Sequence, residues 1–157
     1  MTIGRGKKKG DPDFLPILDW LGQGEFITRS EEETLALAEK LGSSFTGKEV
    51  VLLMGELGAG KTVFAKGLAL GAGVTETSYV CSPSFTLVNI YQGKHNLFHI
   101  DLYRLEKPNE IEDLGWEDYL EEGIVIIEWA ERLPFQVEGI QVKIEVGEDD
   151  ERTITIE

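Results

Sequence analysis

Glu49-Val-Val-Leu-Leu-Met-Gly55-Glu-Leu-Gly58-Ala-Gly60-Lys61-Thr62 decides how the chain is read. An apolar run, Val50 to Met54, feeds directly into Gly-x-x-x-x-Gly-Lys-Thr. The residues after it, Val63-Phe-Ala-Lys-Gly-Leu-Ala-Leu, read as a helix opening at Thr62. Strand, Gly-rich turn and helix in that order are the context a phosphate-binding loop requires. Gly55, Gly58 and Gly60 permit dihedrals closed to other residues and let backbone N–H groups approach an anion. The loop from Gly55 through Glu56, Leu57, Gly58 and Ala59 to Gly60, with the positive end of the helix behind it, is an expected cradle for the β-phosphate of a nucleotide. Lys61 reaches the β/γ oxygens as a mobile charge, and the Thr62 hydroxyl is placed to ligate Mg²⁺.

The rest of the composition sets bounds around that loop. At 157 residues, one domain with its own core is expected. Hydrophobic residues make up 41% and charged residues 28%, the balance of a soluble globular chain. The formal charge of −14 repels a phosphate backbone, so direct nucleic-acid binding is not expected as the main activity. That charge suits a protein partner with a basic face, and it equally suits simple solubility. The single cysteine, Cys81, excludes an intramolecular disulfide and fits a reducing compartment. No apolar run approaches the roughly 18 residues of a membrane span. The basic N-terminus has no apolar stretch directly behind it, as a secretory signal would. A cytoplasmic location is the expectation.

Outward from the loop, residues 1–25 read as an N-terminal extension and 26–157 as the domain. Gly4-Arg-Gly-Lys-Lys-Lys-Gly10 reads as a solvated tail, followed by apolar residues from Phe14 to Leu21 suited to a short docked helix. Ser30-Glu-Glu-Glu33 is a capping box opening a helix with Leu35, Leu37, Ala38 and Leu41 on its apolar stripe, and Gly42 is its expected stop. Phe85 to Tyr91 and Leu97 to Tyr103 alternate around Gln92-Gly-Lys94 as a hairpin. Pro108 to Leu120 is helical with a break at Gly115, and Gly123-Ile-Val-Ile-Ile-Glu128 has the apolar run of a central strand covered on both faces. Gln141 to Val146 and Arg152 to Glu157 form a closing hairpin. These elements predict an α/β fold, a sheet of mixed parallel and antiparallel strands with helices on its faces.

A phosphate loop also needs a carboxylate at the end of a neighbouring strand, to hold Mg²⁺ or to position the attacking water. Two acids qualify, and the spacing alone does not choose between them. Glu128 closes an apolar strand, and Asp101 lies in His99-Ile-Asp-Leu-Tyr-Arg104, with His99, Asp101 and Tyr103 on one strand face. The structural alternatives are that Asp101 pairs with Arg104 and that Glu128 caps the next turn. His99 has no second His or Cys at ligand spacing, so a zinc site is not supported. Trp129 reads as a packing residue placed to report on the site. Ser82-Pro-Ser-Phe-Thr86 is a polar turn whose hydroxyls suit a nucleotide-sensing switch.

Taken together, the loop, Ser82-Pro-Ser-Phe-Thr86, His99-Ile-Asp-Leu-Tyr-Arg104 and Glu128-Trp129 resemble the TsaE-type (formerly YjeE) ATPase family from about Phe26 to Glu157. The resemblance implies a P-loop NTPase-like three-layer α/β/α fold with a rearranged sheet. It implies ATP hydrolysis in the making of threonylcarbamoyladenosine at position 37 of tRNA. The implied partners are the TsaB and TsaD proteins, with tRNA contacted only indirectly, and ATP turnover would permit repeated rounds of transfer. By the same resemblance Lys61 and Thr62 grip phosphate and Mg²⁺, and Glu128 is the second metal contact. Asp101 acts in hydrolysis; Ser82, Ser84 and Thr86 form the switch; and Arg152 lies near ATP. The family usually has Thr where this chain has Ser84, which keeps the hydroxyl. A small-molecule kinase is a competing class, weakened by the chain's having only Arg5, Arg29, Arg104, Arg132 and Arg152 and no Arg-rich lid. A nucleotide-gated binding module is another. A GTPase fits poorly, since no Asn-Lys-x-Asp motif exists and the one Asp-x-x-Gly, Asp19 to Gly22, precedes the loop.

Overall fold

The strand–loop–helix unit around Gly55 sits at the centre of one sheet. A computed structural model describes residues 24–75, 88–104, 110, 112 and 115–157. In chain order its elements are β1 (Gly24–Thr28), α1 (Glu31–Ser43), β2 (Val50–Met54), α2 (Lys61–Gly71), β3 (Val88–Tyr91), β4 (Leu97–Asp101), α3 (Trp116–Glu122), β5 (Ile124–Glu128), a 3-10 turn (Ala130–Arg132), β6 (Ile140–Val146) and β7 (Arg152–Ile156). Among the described residues the sheet has seven strands in the order β1-β7-β6-β2-β5-β4-β3. The four central strands, β6, β2, β5 and β4, run parallel, while β3 at one edge and β7 and β1 at the other are antiparallel to their neighbours. The carboxyl ends of β2, β5 and β4 therefore emerge together, which is where ligands bind in open parallel sheets.

Burial follows strand alternation. Val51, Leu53, Ile124, Ile126, Val142 and Ile144 turn to one face, where they pack under α1 and α2 with Leu41, Phe64 and Leu68. Leu52, Val125 and Ile127 turn to the other, where they meet Trp116 of α3, Phe98, Ile100 and Leu102. Each β5 residue is buried, as its unbroken apolar run predicts for a strand covered on both faces. This is the three-layer mixed-sheet α/β architecture expected from the sequence. No helix among the described residues is long and apolar enough to cross a membrane.

Ser30 Oγ accepts the Glu33 N–H (3.1 Å), but Glu33 Oε1 reaches back to the Arg29 N–H (2.8 Å), one residue beyond the expected partner. Helix α1 does not stop at Gly42; it continues to Ser43 with Ser44 as its cap. Gly42 is needed for contact instead: a Cβ there would stand 2.4 Å from the Leu68 carbonyl oxygen. The same close crossing of α1 and α2 uses Gly71, where a Cβ would lie 2.2 Å from the Glu39 carbonyl oxygen. Gly71→Ala is therefore expected to cost about 2–3 kcal/mol through overpacking. Thermal unfolding would show a midpoint lowered by roughly 5–10 °C; an unchanged midpoint would mean the helices separate freely.

The second strand of the predicted hairpin ends at Asp101, not at Tyr103. Asp101 Oδ1 accepts the Tyr103 N–H (2.9 Å), closing a turn of the kind Asp favours, and takes Tyr103 off the strand. The predicted helix break at Gly115 coincides with a left-handed residue, φ 68°, immediately before α3. The N-terminal tail and apolar segment, Cys81, and the residues Ser82, Ser84 and Thr86 read as a switch lie outside the described residues.

Candidate functional site

Gly60 caps α2 at φ 109° without any side-chain hydrogen bond to the first turn. The backbone N–H groups that open a helix lack intrahelical partners, so this bare terminus presents donors and positive partial charge to the space in front of it. Gly55, at φ 154°, has a second constraint: a Cβ would meet the Ile144 carbonyl oxygen at 2.7 Å. The glycine at the end of β2 thus lets the loop pass close beside β6.

Lys61 is 5% exposed and folds back into the loop. Its Nζ donates to the carbonyl oxygens of Gly55 (2.6 Å) and Glu56 (2.9 Å) and lies 3.9 Å from the centre of the Trp129 ring. Burial pulls its pKa below the ordinary lysine value, while the charges of Glu131, Glu128, Asp101 and Glu56 oppose that shift. The result is a cation held in place by carbonyls, a ring face and surrounding carboxylates.

Thr62 Oγ1 lies 3.2 Å from each oxygen of Glu128. Glu128 is 2% exposed, and its Oε2 also contacts His99 Nε2 at 2.5 Å. Asp101 stands opposite Glu128 in the parallel register of β4 and β5. The hydroxyl after the lysine and both strand-end acids are therefore brought to one place by the sheet. Glu128 does not cap the turn that follows; the residue at that position is Trp129, in the left-handed conformation at φ 60°. Holding a non-glycine residue there costs of order 1–2 kcal/mol, and it turns the indole under Lys61.

A cavity of 410 Å³ opens between the loop and the ends of β4 and β5, lined by Lys61, Thr62, Asp101, Arg104, Glu128 and Trp129. A second, of 350 Å³, lies on the other side of the loop between Gly58–Gly60, the start of α1 and Arg152. Arg152, at the start of β7, donates from Nε to the Ala59 carbonyl oxygen (3.0 Å), so this distant residue touches the phosphate-type loop. Leu57 at the loop's tip is 73% exposed.

Some neighbours of the site carried no sequence signal. Glu131 Oε2 accepts the Gly55 N–H at 3.3 Å, and Arg132 donates to the Tyr103 carbonyl oxygen at 2.6 Å while lying over the Tyr103 and Trp129 rings. Both sit on the 3-10 turn, whose direction depends on the left-handed Trp129. Trp129 was legible only by following Glu128; its role as a wall against Lys61 was not.

The donor set suits a magnesium nucleotide. No atom among the described residues lies near the position a Cβ would take at Gly58 or Gly60. Among the described residues no cluster of three His, Cys, Asp or Glu has metal-holding geometry. One hydroxyl and one carboxylate are the sparse protein ligation expected for Mg²⁺, which keeps waters and takes further oxygens from phosphate.

The family model described as threonylcarbamoyl adenosine biosynthesis protein TsaE matches residues 28–154. The chain is 44% identical over 133 residues to the tRNA threonylcarbamoyladenosine biosynthesis protein TsaE of Nostoc sp., covering 80% of each. It is 42% identical to the protein of the same name from Aquifex aeolicus, covering 84% of this chain and 94% of the relative. The crystal structure of Bacillus subtilis YdiB superposes with a TM-score of 0.67 at 38% identity, over 85% of this chain and 84% of that one. Motif, sheet order and sequence likeness over most of its length agree: the chain belongs to the TsaE family.

Proposed function

We propose that the protein is a Mg²⁺-dependent ATP hydrolase of tRNA threonylcarbamoyladenosine biosynthesis, cytoplasmic, acting on a TsaB–TsaD complex to permit repeated turnover. The observation that carries this reading is the meeting of Thr62 with both oxygens of the buried Glu128, directly after a lysine already held inside the loop. A structural strand–turn–helix has no use for a buried carboxylate beside that hydroxyl.

On this reading the loop amides and the opening of α2 bind the phosphates, and Lys61 exchanges the Gly55 and Glu56 carbonyls for phosphate oxygens. Thr62 and Glu128 hold Mg²⁺, which when bound neutralises charge on the β- and γ-phosphates. Asp101, one strand over, orients the attacking water. The nucleoside extends toward the cavity beside Arg152. Thr62 and Glu128 are the protein's metal contacts, and Ser82, Ser84 and Thr86 remain the proposed switch.

Turnover by the isolated protein is expected to be slow. Arg152 and Arg132 are tied to the carbonyls of Ala59 and Tyr103, and Arg104 lines the cavity from this chain's own β4 side. An arginine inserted by a partner is typically worth a further factor of about 10³–10⁵ in rate. Exposed Leu57, beside the cavity, offers an apolar contact for the partner complex. The test is ATP hydrolysis with and without TsaB–TsaD. Stimulation of at least about tenfold, with ADP and phosphate as products, supports the reading; full activity alone, or transfer of phosphate to a small molecule, contradicts it.

A further inference from the structure

Glu128 meets Thr62 at the end of β5, and on its other side it meets a histidine outside the loop. His99 lies in β4 and is fully buried. Its register partner is Ile126, and Asp101 is the partner of Glu128, so His99 is the diagonal neighbour of Glu128 on the same sheet face. Across that diagonal His99 Nε2 meets Glu128 Oε2 at 2.5 Å. The carboxylate can only accept, so Nε2 carries the hydrogen of this bond. The other ring nitrogen, Nδ1, is buried with no hydrogen-bond partner among the described residues.

A buried ring nitrogen without a partner is a cost that an aliphatic residue would avoid, and the flanking Leu97, Phe98 and Ile100 are all apolar and buried. We propose that His99 is a positioning residue, whose Nε2–H pins Oε2 of Glu128 and so holds the carboxylate turned toward Thr62, ready for the cation. This rests on the reading of Glu128 as a metal contact. Donors behind a metal-binding group set its orientation, and their removal typically costs about 10–100-fold in metal affinity.

The experiment is calorimetric binding of a non-hydrolysable ATP analogue to the full chain, across Mg²⁺ concentrations, in wild type, His99→Gln, His99→Asn and His99→Leu. A glutamine amide nitrogen can occupy the place of Nε2, whereas asparagine's reaches only that of Nδ1. H99Q is expected to stay within about threefold of wild type in the Mg²⁺ it requires. H99N and H99L should require about 10–100-fold more, with affinity in the absence of Mg²⁺ unchanged. If H99N fails to fold, H99L, which leaves no buried polar orphan at position 99, carries the comparison. Wild-type Mg²⁺ dependence in H99N or H99L overturns the proposal, as does an equal loss with and without Mg²⁺, the mark of a merely structural role. Wild type that binds the analogue without regard to Mg²⁺ removes the metal reading of Glu128. Wild type that binds no nucleotide removes the phosphate-loop reading itself.

Discussion

Lys61→Ala is expected to lower ATP hydrolysis by at least about a hundredfold, measured with the partner complex present, and to weaken nucleotide binding in calorimetry. The size of the effect follows from where the charge sits. At 5% exposure the ammonium acts through a medium far less screening than water, where a charge at contact distance is worth several-fold more. Burial alone would tend to neutralise it, and the carboxylates of Glu131, Glu128 and Asp101 act against that tendency. Lys61→Arg should not rescue, because a planar fork cannot take the place of a compact ammonium held between two carbonyls and a ring face. A Lys61→Ala protein that keeps its fold by circular dichroism and hydrolyses ATP within threefold of wild type would remove the loop from the mechanism.

The second large effect separates the two acids. Asp101→Asn is expected to bind the Mg²⁺ nucleotide within about threefold of wild type yet lose at least about a hundredfold in hydrolysis, the usual scale of a positioned acid or base. Glu128→Gln is expected to lose binding strength chiefly when Mg²⁺ is present, because its carboxylate faces Thr62 directly. The converse pattern, metal dependence lost in Asp101→Asn and retained in Glu128→Gln, would exchange the two roles. Should Asp101→Asn bind ATP and still support threonylcarbamoyladenosine formation in a reconstituted assay, hydrolysis would be incidental and the protein a nucleotide-gated binding module.

Much of the site is legible in the sequence. The loop, its lysine and its hydroxyl are contiguous, so their relation is set by local backbone chemistry: Gly60 is left-handed at φ 109° and cannot be replaced by an ordinary residue without strain. The central strand was equally plain, because five consecutive buried positions leave no polar face to alternate. Errors came at ends. Gly42 reads as a helix stop by local rules, but packing against Leu68 overrides them, and Tyr103 leaves the strand because Asp101 takes its N–H.

What lay beyond the sequence is everything that depends on strand order. Residues 61, 99, 128 and 152 meet at the loop because β5 lies between β2 and β4 while β7 is separated from β2 by β6, an arrangement that periodicity does not encode. Spacing leaves open whether Asp101 or Glu128 is the neighbour of Thr62, and only the family resemblance points to Glu128; the parallel register of β4 and β5 places the two acids side by side, with Glu128 at the hydroxyl. The contact of Trp129 with Lys61, and of Glu131 with Gly55, waited on a single left-handed residue after β5. The sequence by itself determined the phosphate loop, the mixed α/β class and the candidate acids, because those depend on neighbouring residues and their period. Only the tertiary structure showed Glu128 facing Thr62 and His99 in contact with Glu128, because those contacts join elements that are far apart in the chain.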